Sequence, residues 1–222
     1  MFKYFIVFFL IISNFAMANI KVFAVRYRKN AREYSYDIKV PRLEYSKKNM
    51  NEINSEFQKI AKTMISDIID EGKELKKLDS IVDAQGNMSF LIYKNDFNIL
   101  SILMEKYVYF GGAHGLTTFS SYNFSQISGD LLNFKDIFKP EAEEYFKTKI
   151  LEIINQENLK DDLDSSKIVF FENPDVSLDT AIMYFEGNNV VFSYPQYSIA
   201  PYSSGTPKFK FSKDEIQNLM VD

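Results

Sequence analysis

The stretch YFGGAHGLTTFSSYNF, residues 109–124, holds three of the chain's eight glycines and its one histidine, His114. Ile99–Tyr109 before it (ILSILMEKYVY) is apolar and rich in strand formers. Thr117–Ser125 after it (TTFSSYNFS) is β-branched and aromatic. Two strand-like runs separated by a glycine-rich interval read as a long hairpin. Gly111–Gly115 is then its loop. Glycine takes positive φ without steric penalty, which accounts for Gly111, Gly112 and Gly115 as turn residues. A second reading stands beside this one. Small residues let a ligand approach the backbone, and His114 brings both a donor and an acceptor.

Outward from the hairpin the pattern stays mixed. Asn19–Tyr27 and Tyr34–Val40 alternate like strands, the second ended by Pro41. Met50, Ile53, Phe57, Ile60, Met64 and Ile68 form an apolar helical stripe, widened by Ala61, Ile65 and Ile69. Asn49 and Glu52 have capping-box spacing at its start, and Gly72 frays or ends it. Strands are expected at Ser80–Ala84 and Met88–Lys94, joined by a Gln85-Gly86-Asn87 turn. Asp96-Phe97-Asn98 is a further turn before Ile99. On the C-terminal side Asp136-Ile137-Phe138 begins a helical turn. Pro140 opens a central helix with Glu141, Glu143 and Glu144 in its first turn, where the dipole favours acids. Its buried face is Ala142, Tyr145, Phe146, Ile150, Ile153 and Ile154. Thr180–Phe185 and Val190–Tyr194 flank a Gly187-Asn188-Asn189 turn. Lys208–Phe211 is a last strand, and Ser212 to Glu215 caps a short C-terminal helix. Helices set among antiparallel hairpins give an α+β fold. The expected division is 1–18, 19–108 and 109–222.

Residues 1–18 have the form of an export signal. Lys3 is basic, Tyr4–Ile12 is apolar, and Ala16-Met17-Ala18 is a cleavage signature. The apolar run falls short of the about 20 residues a spanning helix needs. Cleavage after Ala18 would leave a periplasmic or secreted protein without a stable membrane span; an uncleaved anchor is the alternative. The chain has no cysteine, so there is no disulfide framework and no thiol chemistry. Its formal net charge is −4, which argues against nucleic acid as a partner. The charge is uneven. Residues 19–48 carry nine Lys/Arg against three Asp/Glu, and residues 141–186 four against twelve. One reading is that the two segments face each other or are simply solvated; the sharper one is an acidic face that docks a cationic protein, with 157–164 able to steer it.

The catalytic options are thin. The glycine loop runs from strand into strand with no Lys after it, unlike a phosphate-binding loop. No G-x-S-x-G elbow accompanies His114. A metal site usually takes two or three histidines. A carboxylate pair remains open among thirty acids. These readings assign no catalytic residue, no metal and no cofactor, and leave enzymatic activity open.

Tyr109–Gly115, Tyr122-Asn123-Phe124, Ser128-Gly129, Leu132 through Phe138, and Phe192, Tyr197, Ile199, Ala200, Pro201, Tyr202 and Gly205 together resemble a known family. It is the extracytoplasmic domain of unknown function found in RsiV-type anti-sigma factors and beside exported peptidoglycan deacetylases. Pro41–Leu43 and the helix after it resemble the companion domain that precedes it. RsiV-type members bind lysozyme. Within these 222 residues neither a membrane-spanning, sigma-binding part nor a deacetylase domain is expected. The resemblance therefore implies a non-catalytic binding protein for a cell-wall ligand or a wall-directed protein, with lysozyme or peptidoglycan as partner. The expected contacts are Gly111, Gly112, His114 and Gly115, with Tyr197 and Tyr202. A wall-acting hydrolase using His114 with carboxylates is the alternative.

Overall fold

A computed structural model describes residues 19–78, 81–159 and 167–221. The expected signal peptide, 1–18, and most of the acidic segment 157–164 lie outside the described residues. The fold is α+β. The described residues form two sheets, one of five strands and one of three. The chain divides into two compact units, and each draws on separate stretches of sequence.

The first unit contains β1 (Lys21–Asn30), β2 (Tyr34–Glu44), α1 (Asn51–Lys77), β3 (Ala84–Tyr93) and the hairpin ends of β4 (Ile99–Tyr109) and β5 (Leu116–Ser125). The strand order is β1-β2-β3-β4-β5. β1 and β2 pair antiparallel, with Val22 opposite Leu43 and Arg28 opposite Asp37. β2 and β3 pair in parallel over Tyr34–Ile38 and Ala84–Met88. One parallel pair thus joins the expected antiparallel hairpins, because α1 carries the chain back between these strands. β2 also runs on through Pro41, past its expected end. β3 accompanies it only as far as Ile38, so Pro41 sits where β2 has β1 alone beside it. A residue without an N–H is tolerated there. Beyond Pro41 the Asn54 side chain accepts the Leu43 N–H at 2.7 Å and donates to the Leu43 carbonyl at 2.8 Å. α1 itself thereby satisfies the strand's backbone.

α1 buries Phe57, Ala61, Met64, Ile68 and Gly72. Tyr36, Ile38, Val40, Ala84 and Met88 are buried strand positions of the same unit. Two glycines here are not the punctuation expected of them. Gly86 lies inside β3, and a Cβ there would fall 2.1 Å from Ile68 Cδ1. The absence of a side chain lets helix and strand approach closely. Gly72 does not end α1, which continues to Lys77; its missing Cβ would meet the Glu33 carbonyl at 2.6 Å. The N-terminal capping box is modified too. Asn49 Oδ1 accepts the Asn51 N–H at 2.8 Å, and Met50 occupies the N-cap.

The second unit contains α2 (Phe134–Ile137), α3 (Ala142–Asn158), β6 (Ile182–Glu186), β7 (Asn189–Ser193), β8 (Lys208–Ser212) and α4 (Lys213–Ile216). β7 is central and pairs antiparallel with β6 and β8. Ala142, Phe146, Ile150 and Ile154 are the buried face of α3, at helical spacing. Phe146 is the hub, its ring 4.7 Å from Phe192, 5.0 Å from Phe211 and 5.2 Å from Phe138. Ile153 is exposed, unlike its expected place in the core. Ser212 caps α4 as expected, accepting the Glu215 N–H at 3.3 Å. Glu215 also accepts from the Tyr145 hydroxyl at 2.9 Å. The outer ends of β4 and β5 belong to this unit and carry its buried polar pair. Ser101 donates to Asn123 Oδ1 at 2.7 Å and accepts the Phe185 N–H at 3.0 Å. Asn123 donates to the Met183 carbonyl at 2.9 Å. No helix among the described residues is long and apolar enough to cross a membrane.

Candidate functional site

The glycine–histidine loop is the tip of the β4–β5 hairpin, in the first unit. Gly111 and Gly112 take positive φ, 97° and 92°, with open space where a Cβ would sit. Their role is the turn. The Tyr109 hydroxyl donates to the Gly112 carbonyl at 3.0 Å and closes it. Gly115 differs: it is not among the positive-φ glycines. A Cβ on Gly115 would fall 2.3 Å from the Tyr107 ring and 2.4 Å from its hydroxyl. Its smallness is therefore a packing requirement set by Tyr107, eight positions earlier. His114 is exposed, and its Nδ1 donates to the Gly115 carbonyl at 3.0 Å. In the neutral ring this bond places the proton on Nδ1. Among the described residues no group of three His, Cys, Asp or Glu side chains is placed to hold a metal.

Tyr197 and Tyr202 belong to the second unit. Their segment is anchored from below. Tyr194, Ile199 and Ala200 are buried, and the Tyr194 hydroxyl donates to the Val176 carbonyl at 2.8 Å. Burial, with Asp175 nearby, raises the Tyr194 hydroxyl's pKa above the usual tyrosine value. Tyr197 and Tyr202 do the opposite. They remain 54% and 38% exposed, with ring centroids 5.7 Å apart. Tyr197 also adopts φ 67°, a left-handed conformation costing a bulky residue about 1–2 kcal/mol. Beside it the Gln196 amide oxygen is buried with no hydrogen-bond partner among the described residues. Strain, an orphan acceptor and an exposed ring pair coincide within Gln196–Tyr202. Such coincidences gather at binding sites.

Two further residues join this face. The Phe171 N–H donates to the Ile199 carbonyl at 3.0 Å, and Ser204 Oγ donates to the Val169 carbonyl at 2.9 Å. Val169 and Phe171 are exposed large hydrophobics on the segment so tied. Sequence reading passed over them. The run IVFF at 168–171 was a signal, but it follows the polar stretch 158–166 and has no periodic partner. Glu157, at the edge of the acidic segment, accepts the Ile168 N–H at 2.9 Å. The expected contacts thus form two groups, one in each unit.

The chain is similar to two families in succession. Residues 27–117 match the family described as Deacetylase PdaC. Residues 135–214 match the family described as Protein of unknown function (DUF3298). Among the solved structures that share its fold are two of the DUF3298 family. One is a DUF3298 family protein from Pseudomonas aeruginosa PAO1, at 18% identity over 91% of this chain and 94% of that one, TM-score 0.58. The other is a DUF3298 family member from Bacteroides fragilis NCTC 9343, at 15% identity over 93% and 96%, TM-score 0.63. At these identities the likeness is one of fold. No curated protein sequence matches the chain. The glycine–histidine loop falls at the end of the PdaC match, and Tyr197–Gly205 falls within the DUF3298 match. The loop was expected to go with the C-terminal signature, so this reassigns it. Tyr122–Phe124, Ser128-Gly129 and Leu132 lie in neither match.

Proposed function

We propose that this protein is an exported recognition module of the cell wall, binding through the Tyr197–Tyr202 face. The observation that carries the reading is the exposed tyrosine pair held on strained backbone above buried anchors. Tyrosine gives a rigid apolar face and a polar tip at low entropic cost, which suits a sugar ring or a protein surface. The adjoining Val169 and Phe171 favour a partner with apolar groups of its own. The PdaC match supports the wall as the setting, since that family is described as a deacetylase. The RsiV-type resemblance supports lysozyme as the wall-directed protein to try first. Lysozyme is basic and this chain is acidic, so the long-range charge favours encounter. Residues 1–18 would direct export.

The test uses protein recovered from the exported fraction of an expressing cell, with N-terminal sequencing expected to begin at Asn19. Its binding to lysozyme and to insoluble peptidoglycan is measured at low and moderate salt. Saturable binding to one of them should survive moderate salt and weaken at least tenfold in Tyr197→Gly/Tyr202→Ala. Tyr197→Gly alone should keep or raise stability, because glycine accepts φ 67° without strain. Binding to neither ligand, or full binding by the double variant, would sink the proposal.

A further inference from the structure

The face of the first unit's sheet that turns away from α1 is unexpectedly polar. Alternation along paired strands places Arg28, Asn30, Ser35, Asp37, Gln85 and Asn87 on one side. Tyr36 and Gly86 lie between them on the buried side. These polar residues line a groove of about 320 Å³, and Tyr107 completes its wall. The volume sits at the small end of the ~300–1,000 Å³ typical of ligand sites. It holds about one or two sugar rings and is too small for a folded partner.

Three features fix the ligand's chemistry. First, the backbone here is already used. β2 pairs with β1 on one side and β3 on the other over Ser35–Ile38, so the floor of the groove offers no free strand edge; the nearest free edge of the sheet is the outer side of β1. Recognition falls to side chains. Second, those side chains are two kinds of amide, a hydroxyl, a carboxylate and a guanidinium beside a tyrosine ring. That set offers donors and acceptors to vicinal hydroxyls and N-acetyl groups, and a flat apolar wall to a ring face. Third, the groove is cationic. Arg28 lines it, and Lys39, opposite Arg26, lies on the same face; Lys29 alternates to the other face, where its ammonium stands 5.6 Å from the Tyr34 ring centroid. The one carboxylate, Asp37, is engaged by Arg26, with Nε 2.7 Å from Oδ1 and a second bond from Nη2. A positive groove on an acidic protein selects an anion.

We propose that this groove binds an acidic saccharide of the cell wall, a disaccharide carrying N-acetyl groups and one carboxylate, with Arg28 taking the carboxylate. The source of the sugar rests on the wall-recognition reading above; the groove itself does not. The geometry also ties the glycine–histidine loop to this site. Gly115 leaves room for the Tyr107 ring, and Tyr107 forms the groove wall.

The experiment is an NMR titration of the purified protein with N-acetylglucosaminyl-N-acetylmuramic acid, and separately with neutral N,N′-diacetylchitobiose. Shifts should fall on residues 28–37, 85–87 and 107. The carboxylated sugar should bind at least tenfold more tightly. Arg28→Ala should erase that preference, while Asn87→Ala should weaken both sugars. Both positions are exposed, so the variants should fold. Equal affinity for the two sugars, shifts elsewhere, or an unaltered preference in Arg28→Ala would each overturn the proposal. The lysozyme assay with the tyrosine variants reports on the other unit, and the peptidoglycan assay does so when it is run in an Arg28→Ala/Asn87→Ala background, where the groove no longer contributes. Failure of one proposal is therefore visible apart from failure of the other.

Discussion

Single residues in this protein do work that their type alone does not announce. Gly115 is the clearest case. In sequence it is the third glycine of GGAHG and reads as a turn residue like the first two. In the structure Gly111 and Gly112 turn the chain, and Gly115 makes room for Tyr107. The two roles predict different costs. Gly115→Ala drives a methyl into an aromatic ring and should destabilise by about 1–3 kcal/mol, the usual cost of overpacking. In a Tyr107→Ala background the same change should cost less than about 0.5 kcal/mol, because the ring is gone. Urea midpoints of the four proteins in this cycle decide the matter. An equal loss in both backgrounds would return Gly115 to the turn. Gly86 teaches the same lesson with Ile68. A close approach depends on what the fold brings opposite, and no local pattern in the sequence records it. Tyr194, Tyr197 and Tyr202 show the limit from another side. Three similar tyrosines in one proline-rich segment diverge into one anchor and two exposed rings, because burial is decided by Val176 and by the segment's path.

Elements were more legible than residues where their pattern was periodic. The α1 stripe, the α3 face, the β4–β5 hairpin and the Ser212 cap all follow from spacing, and the α+β fold with them. What was lost was the parallel β2–β3 pair, since strand order and direction depend on partners far apart in the chain. Asn123 shows how such distant partners are held. It is buried and bridges Ser101 to the Met183 carbonyl, tying the ends of β4 and β5 to β6 within the second unit. Asn123→Leu keeps the branched shape, with methyls for the amide groups, and leaves those partners unsatisfied. It should cost about 1–3 kcal/mol, read as a lower urea midpoint with little change in slope. A loss under about 0.5 kcal/mol would mean that neighbouring groups take over. At the β1–β2 pair the prediction concerns pH. Hydrogen bonds from the Arg26 guanidinium hold the Asp37 carboxyl below the usual carboxylate range. A depressed carboxylate stabilises the fold above its unfolded pKa, about 3.9, and that contribution fades as pH falls through the folded value. Asp37→Asn should therefore lower the urea midpoint at neutral pH. The gap between variant and parent should close below about pH 4. A gap constant from pH 7 to pH 3 would show that the pair carries none of the acid sensitivity.

At the scale of the whole molecule, the path of the chain limits how the protein can be divided. The sequence invites a cut at 108/109, just before the glycine loop, and the PdaC and DUF3298 matches lie largely on either side of it. The compact units do not follow that line. The chain passes between them at 92/93, 101/102, 120/121, 125/126 and 130/131. β4 and β5 each give one end to the first unit and the other to the second. Ser101 and Asn123 sit in the second unit although their strands belong to the five-stranded sheet. A cut at 108/109 would leave β4 in one piece and β5 in the other. The piece 19–108 would expose an unpaired edge along β4, and the piece 109–222 would lose Phe97, Ile99 and Ser101 from its core. Hydrophobic burial is cooperative across such a seam, so removing one side takes more than its own share of stability. Expressed alone, neither piece should show a cooperative urea transition, while the two mixed should regain one that depends on concentration. A sharp transition in 109–222 by itself would mean that its aromatic core around Phe146 suffices. The β4 residues would then be attachments to a domain that stands without them.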